Sequence, residues 1–398
     1  MPDFEEDAHD SLRHIAYLSE TLGGRGSCTP AERQAAEYTA QEMGARGVQE
    51  VRIEPFQGAP STYRPFALAF AAALLGTLLL WILSGRWAAA LAAALSALGA
   101  WGMFAESDFT ANWMRRMLPS AASQNAVGRI PPAGETKRRV VLCAHVDTHR
   151  TPVFYSSSTW RALFSTLIGA AFLSMAAGAL AYALAAILGW TWIRWFGLVT
   201  AAIQIFALLM CLHADFTPFS PGGNDNASGV GVALTLARRL SAAPLTHTEV
   251  WLAFTGCEEV GAYGFAAFLD AHAAELGEDA LYVVLDEVGL GRLIYLTADG
   301  LILKRATHPR ALGVARQARS ALAGLEVDEQ VGIAYTDAAV ATKRGLVALT
   351  LCAVTPPGAD EAMHWHQMSD TIEHVDPQTL AAADQFVWQV LREVDSPA

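Results

Sequence analysis

The chain has 398 residues, 53% of them hydrophobic and 17% charged, with 39 acidic against 27 basic side chains and a formal net charge of −12. The acidic balance, with no stripe of Lys and Arg, argues against nucleic acid as a partner. A wholly soluble globular protein is excluded as well, because the Leu- and Ala-rich excess is gathered into two blocks instead of being spread evenly. Cys28, Cys143, Cys211, Cys257 and Cys352 are odd in number and scattered, which implies neither a disulfide framework nor a zinc knuckle.

In chain order, Met1 to Asp7 is acidic and lacks the apolar core of a secretory signal peptide. Thr29-Pro30-Ala31-Glu32 reads as a capped helix start, and Gly47 as the stop of that helix. Val48 to Phe56 alternates apolar and polar residues, the period of a half-buried strand. Between Arg64 and Arg86 lie 21 uncharged residues, and between Arg86 and Glu106 another 19. Each run is long enough to cross a hydrocarbon layer of about 30 Å, and Trp81, Trp87 and Trp101 suit its interfaces. Residues 63–106 are therefore expected to form a transmembrane hairpin. Strands follow at 125–130 and 140–144. A second pair of uncharged runs, 162–193 and 195–214, predicts another hairpin over 161–214. The remainder alternates helix and strand: helix from Asn224 to Leu240, strand 248–254, helix 261–275, strands 281–285 and 293–297, helix 309–323, strand 346–354, and helix 377–394. This predicts an α/β fold with a mostly parallel twisted sheet flanked by helices. One such domain, over 1–62, 107–160 and 215–398, would be interrupted by the two hairpins.

Chemistry-bearing residues follow the predicted strands. His145 and Asp147 come after 140–144, Glu258 and Glu259 after 248–254, and Asp286 after 281–285; Asp225 opens the helix at 224, and His366 with Asp370 follows 346–354. Open α/β sheets bind ligands at the carboxyl ends of their strands, and mixed His and carboxylate donors suit zinc. A two-metal centre needs a bridging carboxylate, a His and a carboxylate for each ion, and a free base. These residues supply that number.

The same segments resemble the M28 metallopeptidases, the co-catalytic dizinc aminopeptidases. The resemblance runs in register through Cys143-Ala144-His145-Val146-Asp147-Thr148, Gly222-Gly223-Asn224-Asp225-Asn226-Ala227-Ser228-Gly229, Phe254-Thr255-Gly256-Cys257-Glu258-Glu259, Val283-Val284-Leu285-Asp286, and His366-Gln367-Met368-Ser369-Asp370-Thr371. It implies a zinc-aminopeptidase-like fold, two zinc ions per chain and peptide substrates with a free N-terminus. It further implies that His145 and Asp286 hold one ion, Glu259 and His366 hold the other, and Asp225 bridges them, followed by Asn226 where a strained peptide bond is usual. Asp147 would orient His145, and Asp370 would orient His366. Glu258 would take a proton from the attacking water and pass it to the leaving amine. His364 competes with His366 and yields only on family spacing. His149, His213 and His374 match nothing and read as structural or interfacial.

The sequence departs from the family pattern at Thr336-Asp337-Ala338, where many members have Ser-Asp-His, and at the long insertion between His145 and Asp225. Hairpins so near two ligands imply an active site near a bilayer surface. Arg64, Arg115, Arg116, Arg150 and Arg161 flank the spans on the side of the α/β domain, against Arg86 and Arg194 at the hairpin tips. Positive charge favours the cytoplasm, so an integral membrane protein with a cytoplasmic catalytic domain is expected. The alternatives are a glutaminyl cyclase or carboxypeptidase activity on the same fold, or a transport or scaffold protein with a vestigial peptidase domain. Oligomeric state is left open.

Overall fold

The computed structural model describes residues 3–355 and 364–396. Its first elements are α1 (Phe4–Ala16), α2 (Pro30–Ala45), β1 (Gln49–Gly58), α3 (Tyr63–Leu83), α4 (Gly85–Ser107), α5 (Trp113–Met117), β2 (Ala121–Ile130) and β3 (Arg138–His145). Next come α6 (Ser158–Leu188), α7 (Ile193–Asp215), a wide helical turn over Gly223–Ser228, α8 (Gly229–Ala242), β4 (Thr248–Thr255), α9 (Tyr263–Leu276) and β5 (Leu281–Leu285). The chain closes with β6 (Arg292–Asp299), β7 (Arg305–Ala306), α10 (Pro309–Ala321), β8 (Asp328–Val331), α11 (Ala338–Lys343), β9 (Val347–Val354) and α12 (Pro377–Asp395). Two units divide these elements: Met1–Pro60, Ala121–Thr151 and Pro218–Ala398 make the first, and Ser61–Ser120 with Pro152–Thr217 makes the second. The second unit thus includes 107–120 and 152–160 as well as the two expected hairpins.

In the first unit one sheet runs β1-β2-β4-β3-β5-β9-β6-β7, with β8 paired to β6. Its centre, β4-β3-β5-β9, is parallel, and β1, β2 and β6 are joined to it antiparallel. The register pairs His145 with Thr255, so β3 and β4 end side by side. Every residue of β4 is buried, as a parallel strand covered on both faces requires. Val250, Leu252 and Phe254 enter the main core, while the Trp251 ring meets Phe268 of α9 at 6.3 Å on the other face. The sequence reading missed α1, which has few large apolar residues. It is capped by Asp3, which accepts from the Glu6 amide, and docks through small residues. A Cβ at Gly231 would lie 2.8 Å from the Ser11 carbonyl oxygen, so glycine lets α1 approach α8 closely.

In the second unit α3, α4, α6 and α7 are each long and apolar enough to cross a membrane. Ser84 and Gly85 turn the first hairpin at φ of +54° and +82°, and Gly189 ends α6 at +75°. Leu78, Ile82, Leu83, Leu180, Ile187 and Val199 are more than half exposed. The interior combines large apolar side chains such as Phe70, Met103 and Met175 with small and neutral polar residues: Tyr182 Oη lies 3.0 Å from Thr77 Oγ1 and 3.4 Å from Thr200 Oγ1, and Gln204 Nε2 donates to Ser174 Oγ at 3.0 Å.

Candidate metal centre

The strand ends of the first unit bring the predicted residues together. His145 is the last residue of β3, Asp286 follows β5 directly, Glu258 and Glu259 sit in the turn after β4, and Asp225 lies in the wide turn before α8. His366 follows β9, and all six side chains are buried. Asp225 stands between the two histidines, with Oδ1 3.3 Å from His145 Nε2 and Oδ2 3.1 Å from His366 Nε2. Beyond them, His145 Nε2 is 3.4 Å from Asp286 Oδ1, and His366 Nε2 is 3.5 Å from Glu259 Oε2. Donors at 2.0–2.1 Å from a tetrahedral zinc lie about 3.3 Å apart, so these spacings fit pairs of ligands on one ion. The side chains fall into two groups able to hold a metal, His145–Asp225–Asp286 and His149–Glu259–His366.

His149 is the residue the sequence reading left out. Its ring stacks on His366 with centroids 3.7 Å apart. Alternation along the extended segment places residues 145, 147 and 149 on one side, and that was the available signal. His364 lies elsewhere: Nδ1 is 2.9 Å from Ser369 Oγ, and the ring stacks on His374.

Hydrogen bonds to backbone hold the donors in place. Asp147 Oδ1 accepts from the Glu258 amide at 3.0 Å, and Oδ2 accepts from the Glu259 amide at 3.2 Å and Ser27 Oγ at 2.7 Å. His145 Nδ1 is 3.1 Å from the Asp147 carbonyl oxygen and 3.6 Å from Oδ1. Asp147 thus fixes the turn carrying both glutamates as well as standing beside His145. Asp370 accepts from the amides of Asn224 and Asp225, at 2.7 and 3.1 Å, and so fixes the turn that carries Asp225. The peptide between Asp225 and Asn226 is cis. Thr336 and Asp337, at the family departure, turn inward: Thr336 Oγ1 donates to Asp299 Oδ2 at 2.6 Å, and Asp337 Oδ2 accepts from Thr255 Oγ1 at 2.6 Å.

Arg25, fully buried, was also missed. Its guanidinium donates to the carbonyls of Leu18, Gly23, Val146, Pro221 and Gly222 at 2.7–3.0 Å. Val146 lies between His145 and Asp147, and Gly222 precedes the turn of Asp225, so one cation ties the segments of His145 and Asp225 together. Burial lowers its pKa to about 10, opposed by Asp370, Asp147 and Asp225.

The electrostatics are those of crowded acids. Burial pushes Glu258 and Glu259 well above the ordinary glutamate range; the charges of Asp225 and Glu258 add to this for Glu259. Burial likewise raises Asp286. Burial alone would lower His145, yet Asp286, Asp147 and Asp225 outweigh it and carry the imidazole well above its usual value. Burial would raise Asp225, but its contacts to His145 and His366 bring it far below. Among the described residues, Glu258 Oε1 and Glu259 Oε1 are buried without a hydrogen-bond partner. So many carboxylates in one dry site call for a cation.

Residues 202–391 match the family model of peptidase family M28. The chain therefore carries a peptidase family M28 domain over those residues. Aminopeptidase YwaD of Bacillus subtilis is 28% identical to this M28 chain over 190 residues, which cover 46% of the chain and 39% of YwaD. The chain therefore aligns with about two fifths of that relative's length. A zinc aminopeptidase structure from Bacillus subtilis superposes with a TM-score of 0.59 at 16% identity, covering 97% of this chain and 95% of that one. A Bacteroides thetaiotaomicron glutaminyl cyclase bound to N-acetylhistamine gives 0.56 at 16% identity, covering 100% of both. At these identities the likeness establishes the fold, a mixed α/β sheet with flanking helices.

Proposed function

We propose that this M28 chain is a membrane-anchored aminopeptidase that holds two zinc ions and uses Glu258 as general base. The observation that carries the reading is Asp225, whose two carboxylate oxygens face two separate His and carboxylate sets. His145 and Asp286 would complete one zinc and Glu259 with His366 the other, His149 lying beside the second. Zinc bound there would supply Lewis acidity toward the scissile carbonyl and a seat for the free α-amine of a peptide. Glu258 lies outside both donor sets, and its unpartnered Oε1 can take a proton from the attacking water and return it to the leaving amine. Its raised pKa matches a group that must hold that proton between steps. Asp147, through the amides of Glu258 and Glu259, keeps base and ligand in fixed relation.

The glutaminyl cyclase neighbour gives cyclisation of an N-terminal glutamine as a second reading; two complete donor sets favour the hydrolase. The four apolar helices support insertion in a bilayer, and the arginines flanking them support a cytoplasmic site. Proteolysis of intact cells tests the orientation, since rapid cleavage of the first unit from outside would reverse it.

The deciding experiment uses the full chain in detergent: bound metal is measured, and aminoacyl substrates are assayed with wild type and Glu258→Gln. Two zinc ions per chain are expected in both proteins, with turnover of the variant lowered about 10²–10⁴-fold. Undiminished turnover in the variant would sink the mechanism, and one zinc per chain would favour the cyclase.

A further inference from the structure

Next to the two glutamates lies a pair of thiols that the proposed reaction does not use. Cys28 Sγ is 3.4 Å from Cys257 Sγ across 229 residues of sequence. Both cysteines are free; Cys28 is partly exposed and Cys257 buried. Their backbones are held by one carboxylate: Glu32 Oε2 accepts from the Cys28 amide and Oε1 from the Cys257 amide, each at 2.9 Å. The two residues share the left-handed conformation, with φ of +61° and +54°. Gly58 forms the third wall. A Cβ there would lie 2.6 Å from Cys257 Sγ and 3.1 Å from Cys28 Sγ, so only glycine leaves room for both sulfurs. The capping role predicted for Glu32 from sequence has been diverted to this clamp.

We infer that Cys28 and Cys257 form an oxidation-driven disulfide that staples the 26–29 segment to the turn of Glu258 and Glu259. A disulfide needs its sulfurs about 2.05 Å apart, a shortening of roughly 1.4 Å that side-chain rotation supplies while Glu32 keeps both amides in place. With hydrogen peroxide as oxidant, the Cys28 sulfur attacks one peroxide oxygen, the O–O bond breaks, and Cys28 sulfenic acid and water form. The Cys257 sulfur then attacks the Cys28 sulfur, the S–O bond breaks, and the hydroxyl leaves with the Cys257 proton as a second water. Two thiols give up two electrons, and one peroxide takes them. Because the bond closes a long loop, it restricts the unfolded chain strongly. It also departs from the sequence expectation that no disulfide framework is implied, since cysteines scattered in sequence are paired in space.

The test reads thiols and stability, and so stands apart from the aminopeptidase reading. The zinc-loaded full chain in detergent is treated with hydrogen peroxide, its remaining thiols are alkylated, and its peptides are analysed by mass spectrometry. A peptide linking residues 28 and 257 is expected, together with a rise of about 3 °C or more in the thermal midpoint that dithiothreitol reverses. Cys28→Ser should abolish both. Gly58→Ala, which keeps both thiols but fills their slot, should slow linkage at least tenfold. Oxidation of Cys28 without a 28–257 peptide, or linkage that lowers the midpoint, would overturn the inference.

Discussion

In the first unit the buried polar side chains include Arg25, Glu32, Asp147, Asp225, Glu258 and Asp337, all ionisable. Along the helix interiors of the second unit they are Thr77, Ser96, Ser174, Thr200 and Gln204, all neutral; Asp215, at the end of α7, pairs with Arg64 at 2.9 Å. The outer surfaces differ in the opposite sense, because the second unit exposes Leu and Ile where a water-facing surface would carry charge. The first unit can bury charge because a sheet core and converging loops supply many hydrogen bonds to each ion. A helix bundle with an apolar exterior has no such surplus and uses neutral pairs between helices. The chain's apolar content is thus divided between a buried sheet core and an apolar helix exterior, and its buried ionisable side chains are concentrated in the first unit.

The largest expected effect tests whether buried charge organises the first unit. Arg25→Met would take the guanidinium donor from five carbonyls; Leu18 and Gly222 keep a backbone amide, while buried Val146 and half-buried Gly23 and Pro221 lose their side-chain donor. Unsatisfied buried groups cost about 1–3 kcal/mol each before relaxation, so a loss on the order of 5 kcal/mol is expected, with zinc retention falling alongside. Thermal unfolding and metal analysis measure it, and Arg25→Lys should fall between. A midpoint within 2 °C of wild type would show that this cation organises nothing, since even about 1 kcal/mol moves a chain of this size by roughly that much.

The second unit should break by packing instead. A Cβ at Gly99 would meet the Ala69 carbonyl oxygen at 2.6 Å and Met175 Sδ at 3.0 Å, so Gly99→Leu must push α4 off α3 and α6. Overpacking of this kind costs about 1–3 kcal/mol. Destabilisation in detergent with unchanged zinc per chain is expected, and equal stability would mean the helices are not closely packed there.

Much of this division was legible in sequence, for physical reasons. Uncharged runs of 21 and 19 residues dictate long apolar helices regardless of tertiary context. The strand-then-ligand pattern reads because parallel strands are continuous apolar runs, whose carboxyl ends must gather at one edge. The rest depended on partners distant in sequence. Arg25 sits among glycines with no local sign of burial, and its acceptors Val146, Pro221 and Gly222 are more than a hundred residues away from it. Glu32 looks like a helix cap until β2 and the 256–259 turn bring Ser123 and Cys257 to it. His149 stayed hidden because only the fold places it against His366, and α1 because its contacts are small residues and ion pairs to Arg238 and Arg239.

Acidity offers a subtler way to separate the units. Burial and the Asp147 charge push Glu32 up to about 8, while burial pushes Asp370 and Asp337 up to about 7. With pKa values raised above 4.5 and 3.8, the folded chain holds protons that the unfolded chain has released. The stability they contribute is fully present below the ordinary values and is lost as pH rises through 7 to 8. The chelator-treated protein should therefore melt at a higher temperature at pH 5.5 than at pH 8.5, and Glu32→Gln should reduce the difference. A midpoint that rises steadily with pH would contradict the raised carboxyls.

The finest comparison removes one hydroxyl in each unit. Tyr182→Phe removes the hydroxyl shared by Thr77 and Thr200, but each threonine keeps a helical carbonyl as partner, Ala73 at 3.4 Å and Gly197 at 3.1 Å. Nothing is left unsatisfied, and bonds of this kind between membrane helices average about 0.6 kcal/mol. Thr255→Val instead takes the 2.6 Å donor from Asp337, a buried acid whose other oxygen has no partner among the described residues. Burial then presses harder on Asp337, so a cost of about 2 kcal/mol or more is expected, larger at pH 8 than at pH 6. Equal costs for the two deletions, with the same pH dependence, would mean that the units bury polarity by one rule after all.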